Sequence, residues 1–218
     1  MLICPFCNAE VESFHPKSHL LSEWMYKDCY DKKHTMDNLN LSNLTISKAQ
    51  KGMYKSIICP ECEKETQKYD NYASLILTER SPKSPEYLAV KRSYDEPLYN
   101  GTLLKISHWE NFNFLKFQKF VFATVLRFHL AEKQSGLFLL IDKHFKKMLS
   151  IYKQHEAIDD ESYPITVVKF LEGDAWKPCV VLPRINKKDG HHIIEFSGGG
   201  YHFNIFVSSA SFHLNLWI

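Results

Sequence analysis

Four of the six cysteines form two Cys-x-x-Cys pairs, Cys4 with Cys7 and Cys59 with Cys62. The spacing within each pair allows a tight turn to direct both sulfurs at one ion, and four thiolates match the softness and the tetrahedral preference of zinc. Residues 8–58 must loop out and return between the pairs, so one bound Zn²⁺ closes this loop and stabilises the fold around it. Because the four cysteines fill all four coordination positions, the sequence predicts a structural zinc site.

A redox-active dithiol is the competing interpretation of a Cys-x-x-Cys pair. It is disfavoured because neither pair lies in a βαβ pattern and because one redox centre does not explain two pairs. The two remaining cysteines, Cys29 and Cys179, are interpreted as ordinary buried or partly buried thiols.

Other chemically capable residues accompany the pairs: Ser18 and His19 lie between them, and Glu63 directly follows the last cysteine. This arrangement resembles the treble-clef HNH endonucleases, in which a Cys-x-x-Cys knuckle precedes a histidine at the end of a β-hairpin and a second Cys-x-x-Cys opens a helix. It resembles more closely a set of bacterial HNH-like proteins that carry a Ser-His-Ile-Ile-Pro type motif and a large C-terminal region. The likeness continues through residues 122–127 and into the final strands.

The resemblance implies hydrolysis of nucleic-acid phosphodiester bonds with one divalent cation, Mg²⁺ or Mn²⁺. Carried over by position, His19 is the candidate general base that activates water, which suits an imidazole with a reference pKa of about 6.5. Glu63 is the candidate carboxylate ligand of the cation, since hard cations prefer oxygen. The asparagine that orients the base would be Asn38, Asn40 or Asn43. Their spacing does not distinguish them, and we take Asn40 as the candidate.

The chain departs from the HNH pattern at three positions. Ser18 replaces the aspartate that binds the cation in many of these enzymes, Ser22 replaces a proline, and Glu63 replaces the usual asparagine or histidine. Ser18 and Glu63 are therefore the candidate cofactor-binding residues of an altered site. Alternatively, His19 caps or bridges within the zinc module, and Glu63 interacts with a helix dipole. The alternative function is a catalytically inactive zinc-finger adaptor that binds nucleic acid or a protein partner; the resemblance implies a bacterial defence system for either function.

Two units are predicted to position these residues: a zinc-binding, HNH-like treble-clef module at residues 1–80 and an α+β domain at residues 86–218. The boundary is the Ser-Pro-Lys-Ser-Pro stretch at residues 81–85. A helix is predicted over residues 63–77, because apolar residues recur there at three- and four-residue spacing. The predicted fold class is α+β.

The larger domain is predicted to contain two core helices and an antiparallel sheet. The first helix, at 108–133, is apolar around most of its circumference, which indicates burial. Arg127 within it therefore needs a carboxylate partner, with phosphate contact as the alternative. Gly198-Gly199-Gly200 is interpreted as a turn and not as a phosphate loop, because strand signals follow it. The other predicted elements are a hairpin over 87–106 with an Asn100-Gly101 turn, a helix over 139–152, a turn over 187–190, and strands over 165–171, 180–183, 192–196, 201–207 and 212–217.

Charge and hydropathy narrow the class of partner. The chain has 27 Lys and Arg against 25 Asp and Glu, and this net charge of +2 excludes a strongly basic nucleic-acid coat. A local basic surplus at residues 101–156 is typical of a solvated helix face, or it follows a phosphate backbone. We expect nucleic acid as the partner, with DNA favoured over RNA, and also consider a protein partner or a homo-oligomer. With no apolar run long enough for a membrane span and no signal-peptide pattern, we expect a cytoplasmic protein.

Overall fold

The cysteine-containing part of the chain folds into short antiparallel hairpins followed by a long helix. The computed structural model describes residues 1–40, 45–49, 52–78, 83–96, 98–99, 102–103, 105–134, 140, 142–154, 163–171, 173, 175, 177–188 and 190–207. The elements of this part are β1 (Leu2–Ile3), β2 (Glu10–Val11), β3 (Ser18–His19), two 3₁₀ turns (Glu23–Met25 and Lys27–Cys29), β4 (Met36–Asn40), β5 (Thr45–Ala49), β6 (Tyr54–Lys55) and α1 (Pro60–Thr78). β1 pairs with β2, β3 with β6 and β4 with β5, all antiparallel.

Helix α1 confirms the helix predicted over residues 63–77 and begins slightly earlier, at Pro60. Proline is well tolerated in a first helical turn, where its missing N–H has no partner to lose. Glu61 and Glu63 also lie in this turn, where a negative charge interacts favourably with the helix dipole. The second cysteine pair is thereby fixed at the helix start, because Cys59 directly precedes α1 and Cys62 lies in its first turn.

The second part of the chain continues with helices and antiparallel strands. Its elements are α2 (Pro85–Ala89), β7 (Lys91–Asp95), β8 (Leu98–Tyr99), β9 (Thr102–Leu103), β10 (Ile106–Glu110), α3 (Phe114–Gln134), α4 (Asp142–Lys153), β11 (Ile165–Lys169), β12 (Val181–Lys188), β13 (His191–Gly198) and β14 (Tyr201–Phe206). β7 pairs with β10 and β8 with β9, which confirms the antiparallel strands predicted within residues 87–106. The predicted bounds were wrong at both ends, because residues 87–89 belong to α2 and β10 continues to Glu110. The predicted turn residues Asn100 and Gly101 lie outside the described residues.

Helix α3 is buried as predicted, but it begins later than residue 108. His108 and Trp109 belong to β10, where each pairs with a residue of β7. The Asn113 side chain then accepts a hydrogen bond from the Lys116 amide at 3.0 Å, so an N-cap sets the helix start at Phe114. Helix α4 confirms the second predicted helix, over 139–152.

Four strands form the C-terminal sheet in the order β11-β14-β13-β12, all antiparallel. β12 extends beyond the predicted residues 180–183, as far as Lys188. The glycines at 198–200 join β13 to β14, and the positive φ angles of Gly199 and Gly200 confirm a turn. The strand predicted over 212–217 lies outside the described residues.

Side chains from both sides of residues 81–85 share one hydrophobic core. Helix α3 packs against α1 and α4, and Phe120 of α3 meets Phe203 of the sheet with 6.0 Å between ring centroids. The Tyr201 hydroxyl donates a 2.7 Å hydrogen bond to the Leu77 carbonyl at the end of α1. The predicted α+β fold, with an N-terminal cysteine cluster, two core helices and an antiparallel sheet, is confirmed. Within the described residues, no helix combines the length and apolar character that crossing a bilayer requires.

Candidate metal centre and the adjoining cavity

The sulfur atoms of Cys4, Cys7, Cys59 and Cys62 all lie within 4.8 Å of one another. The Sγ atoms of Cys4 and Cys62 are 3.8 Å apart, and those of Cys7 and Cys59 are 3.7 Å apart. A tetrahedral Zn²⁺ with Zn–S distances of about 2.3 Å separates its ligands by roughly 3.8 Å. The same separations are far longer than the ~2.05 Å of a disulfide bond, and all four thiols are free. The cluster therefore has the dimensions of a zinc site.

Two elements hold these sulfurs in place. Cys4 and Cys7 lie in the turn between β1 and β2, where the Cys4 amide donates a 2.9 Å hydrogen bond to the Ala9 carbonyl. The Cys59 amide donates to Cys4 Sγ at 3.4 Å, and the Cys62 amide donates to Cys59 Sγ at 3.5 Å. Amide donors and the start of a helix both favour thiolate over thiol, so the backbone is arranged to support metal ligands.

Burial disfavours ionisation of Cys59 and Cys62 in the absence of a cation. Burial opposes ionisation of Cys4 too, but backbone hydrogen bonds outweigh it and lower the pKa of Cys4 to about 7. Burial raises the pKa of Cys62, and the neighbouring Cys4 raises it further. Burial likewise raises the pKa of Cys59. Four thiolates in this volume therefore need a bound cation to compensate their charge, and four soft sulfur ligands in a closed set fit structural zinc.

His19 and Glu63 meet beside the cysteine cluster. His19 pairs with Tyr54 across β3 and β6, and its ring packs edge-on against the Tyr54 ring with 4.6 Å between centroids. Glu63 Oε1 lies 3.6 Å from His19 Nδ1 and accepts a 3.4 Å hydrogen bond from the His19 amide. Strand β3, which pairs with β6, and the first turn of α1 thus bring together two of the candidate catalytic residues.

These contacts use only one oxygen of the Glu63 carboxylate. Oε2 is buried and has no hydrogen-bond partner among the described residues. Burial raises the pKa of Glu63, but hydrogen bonding to His19 and the charge of Arg127 outweigh it, so this pKa lies below its usual value. Glu63 is therefore ionised at neutral pH and keeps one oxygen available to a ligand.

Ser18, the other candidate cofactor-binding residue, lies beside His19 on β3 and pairs with Lys55. Its side chain is completely buried. Its hydroxyl has no hydrogen-bond partner of standard geometry in the part of the chain that the structure describes. Ser18 therefore lies next to the Glu63 carboxylate, whose pKa it helps to lower.

A cavity of about 350 Å³ adjoins His19 and Glu63, with space for roughly ten water molecules. One wall comes from side chains of residues 15–24, from just before β3 to the first 3₁₀ turn, and His15 and Lys17 belong to it. The opposite wall is one face of α1. The residues on that face are Glu63, Gln67, Asp70, Asn71 and Ser74.

Asp70 on this wall is held by Arg127 of α3. Arg127 Nη1 lies 2.9 Å from Asp70 Oδ2, and Nη2 lies 3.1 Å from Oδ1, so the pair is bidentate. The Arg127 side chain is completely buried, and its Nε also donates to the Ala123 carbonyl at 3.3 Å. The carboxylate partner predicted for Arg127 is therefore confirmed, and each Asp70 oxygen accepts a hydrogen bond from Arg127.

Two of the candidate asparagines, Asn38 and Asn40, lie on a different pair of strands. The backbone of Asn40 ends β4 and pairs with Thr45 of β5, and Asn38 pairs with Ser47. This β4–β5 pair forms a sheet separate from the β3–β6 pair that carries His19. Asn43 lies outside the described residues. The choice among these asparagines stays a prediction.

Sequence analysis did not identify Ser22 and Trp24 as site residues, yet both line the cavity. Trp24 Nε1 and Ser22 Oγ are buried and lack hydrogen-bond partners among the described residues. In the sequence, Trp24 looks like part of a short apolar stretch, and Ser22 shows only as a departure from the HNH pattern. Neither type nor spacing signals an unused donor, because that property depends on the surrounding fold.

No family model matches the chain, and neither a curated protein nor a solved structure matches it. The four clustered cysteines support the zinc-module part of the resemblance drawn above. The HNH endonuclease part stays a prediction that rests on sequence motifs.

Proposed function

We propose that the chain is a zinc-stabilised, HNH-like endonuclease that hydrolyses nucleic-acid phosphodiester bonds with Mg²⁺ or Mn²⁺, with DNA favoured over RNA. One observation carries the proposal: His19 Nδ1 and Glu63 Oε1 lie 3.6 Å apart beside a cavity, and Glu63 directly follows Cys62 of the cysteine cluster. A base and an ionised carboxylate at such a position are the minimum that metal-assisted hydrolysis needs.

His19 is placed to act as the general base. Its side chain is 33 % exposed, so water can reach it. Its Nδ1 atom lies toward Glu63 Oε1, which leaves Nε2 as the nitrogen that accepts a proton from water. Glu63 would hold the ring in this orientation and stabilise the imidazolium that forms.

Glu63 Oε2 would hold the divalent cation, because it is a buried acceptor without a partner. Mg²⁺ usually keeps several waters and binds one or two carboxylates together with substrate phosphate, so a single available protein oxygen suits it. When bound, such a cation stabilises the negative charge that develops on the phosphate.

A non-catalytic adaptor is the second candidate function. It is favoured by the complete burial of Ser18, in place of an aspartate ligand, and by the engagement of both Asp70 oxygens with Arg127. In that case the cysteine module would present its cavity to nucleic acid or to a protein without cleaving either.

The two functions are separated by assaying supercoiled DNA and a structured RNA with zinc-replete protein, with and without added Mn²⁺ or Mg²⁺. We expect cleavage that requires the added cation and that falls by about 10²- to 10⁴-fold in His19→Ala. His108→Ala is the matched control, because His108 is an exposed histidine on β10 whose ring pairs with Asp95. Binding without cleavage, retained in His19→Ala, would favour the adaptor.

A further inference from the structure

We infer that Ser22 and Trp24 form a phosphate-binding subsite, in which the Ser22 hydroxyl and the Trp24 indole N–H donate hydrogen bonds to the oxygens of one phosphate group. The inference rests on the proposed function for the identity of that phosphate, a nucleic-acid phosphodiester. The binding chemistry itself rests only on the cavity.

Both side chains are more than nine-tenths buried, with 3 % of Ser22 and 5 % of Trp24 exposed. Both line the cavity, and neither Ser22 Oγ nor Trp24 Nε1 has a partner within the described part of the chain. Ser22 flanks the first 3₁₀ turn, but its side chain makes no cap hydrogen bond. A buried donor without a hydrogen-bond partner destabilises the free protein. A ligand that supplies acceptor oxygens here would form the missing hydrogen bonds and thereby bind more tightly.

The packing of the indole places its carbon edge, and not its N–H edge, against the β13–β14 turn. A Cβ atom built on Gly199 would lie 2.5 Å from Trp24 Cζ3 and 2.7 Å from Cε3, so the carbon edge of the ring abuts the β13–β14 turn. The Nε1 atom lies on the other long edge of an indole. Gly199 also donates a 2.6 Å backbone hydrogen bond to the Met25 carbonyl, which fixes the segment that carries Trp24.

The charges around the cavity favour an anion at this wall. An indole N–H can only donate, and Lys17 and His15 line the same cavity. No carboxylate of the described residues forms an ion pair with Lys17, whereas Asp70 is neutralised by Arg127. Glu23 is the acidic exception on this side, and it is exposed to solvent. A phosphate placed between the two donors and a cation held by Glu63 would give a partner to the unpaired donors on one wall and to the unpaired carboxylate oxygen on the other.

The test is titration calorimetry of zinc-replete protein in Mn²⁺, with inorganic phosphate in one arm and a short DNA duplex in the other, using His19→Ala as the parent to prevent cleavage. Trp24→Phe keeps an aromatic side chain but removes the five-membered ring with its N–H, and Ser22→Ala removes only the hydroxyl. We expect each variant to weaken binding by about 10-fold. Trp109→Phe is the matched control, because the Trp109 indole N–H already donates to Ser107.

Weakening in both arms would support a phosphodiester ligand, and weakening in the phosphate arm alone would support free phosphate as the ligand of the subsite. The inference would be overturned if both variants bound both ligands with the affinity of the His19→Ala parent. Ser22→Ala decides the result if Trp24→Phe does not fold. Absence of cleavage by the wild-type chain would overturn the proposed function without changing these affinities, so the two failures can be told apart.

Discussion

Two carboxylates on one face of α1 show how similar burial can accompany opposite roles. Glu63 and Asp70 both line the cavity, two helical turns apart, and their side chains are 13 % and 12 % exposed. Arg127 binds both oxygens of Asp70, whereas the two contacts of Glu63 with His19 both use Oε1, and Oε2 has no hydrogen-bond partner among the described residues. The two carboxylates therefore differ in whether both oxygens have a hydrogen-bond partner, and not in how deeply they are buried.

Loss of zinc should disturb the Glu63 end of α1 most. Structural zinc contributes on the order of 10 kcal/mol in zinc-finger peptides, so Cys59→Ser should abolish stoichiometric zinc binding and lower the free energy of unfolding more than any other change considered below. Metal analysis and thermal melting measure both effects. Hydrogen exchange should show the first turn of α1 opening while the turn around Asp70, packed on α3, stays protected.

Cys179→Ser is the control for the zinc prediction, because this thiol lies outside the cluster and bonds only to the Ala175 carbonyl among the described residues. It should retain one zinc per chain. Equal losses in the two variants would contradict the assignment of the four-cysteine cluster as the metal centre.

Removal of the Asp70 charge should cost about 3–5 kcal/mol, because Asp70→Asn leaves the guanidinium of Arg127 buried without its counter-charge. Urea unfolding measures this loss.

Glu86→Gln is the matched control, since the Glu86 pair with Lys116 is exposed and such pairs contribute about 0–1 kcal/mol. A double variant, Asp70→Leu with Arg127→Met, should lose less than Asp70→Asn alone. If Asp70→Asn costs no more than Glu86→Gln, the pair is not the structural anchor described here.

The difference between the two carboxylates was only partly predictable from the sequence. Residue type and spacing identified the four cysteines, and an arginine in an apolar helix predicted a carboxylate partner. The partner itself is 57 residues away along the chain, a separation over which spacing carries no information. The same limit applies to Ser22 and Trp24, because their unpaired donors depend on which groups the fold places around them.

Local competition between elements explains the misplaced start of α3. Residues 108–110 have helix-compatible composition, but their backbone pairs with β7, and the Asn113 cap then begins the helix. Periodicity described the interior of the helix correctly, because burial of its apolar sides decides the interior. Periodicity could not locate the start of α3, because the position of the first helical residue depends on one capping side chain and one partner strand.

Gly199→Ala should displace the Trp24 wall of the cavity without touching Asp70 or Arg127. Gly199 has a φ of +62°, and the new Cβ would contact the indole at 2.5 Å. Backbone strain of about 1–2 kcal/mol and overpacking of about 1–3 kcal/mol should lower the free energy of unfolding. Gly190→Ala separates these effects, because Gly190 has a φ of +83° with nothing within 4 Å of the new Cβ. Only Gly199→Ala should alter Trp24 fluorescence; the same change in both variants would contradict the contact.

Glu63→Gln should have a much smaller effect on stability than Asp70→Asn. The substitution keeps the shape of the side chain and removes a charge at the start of α1, which contributes about 0.3–1 kcal/mol. Urea unfolding should therefore place Glu63→Gln well below Asp70→Asn, although the two carboxylates are almost equally exposed. Cation-dependent cleavage should nevertheless fall, because an amide binds Mg²⁺ or Mn²⁺ more weakly than a carboxylate and stabilises an imidazolium less. A loss of stability equal to that of Asp70→Asn would mean that Glu63 is itself a structural anchor, and the unpaired Oε2 would then have no bearing on ligand binding.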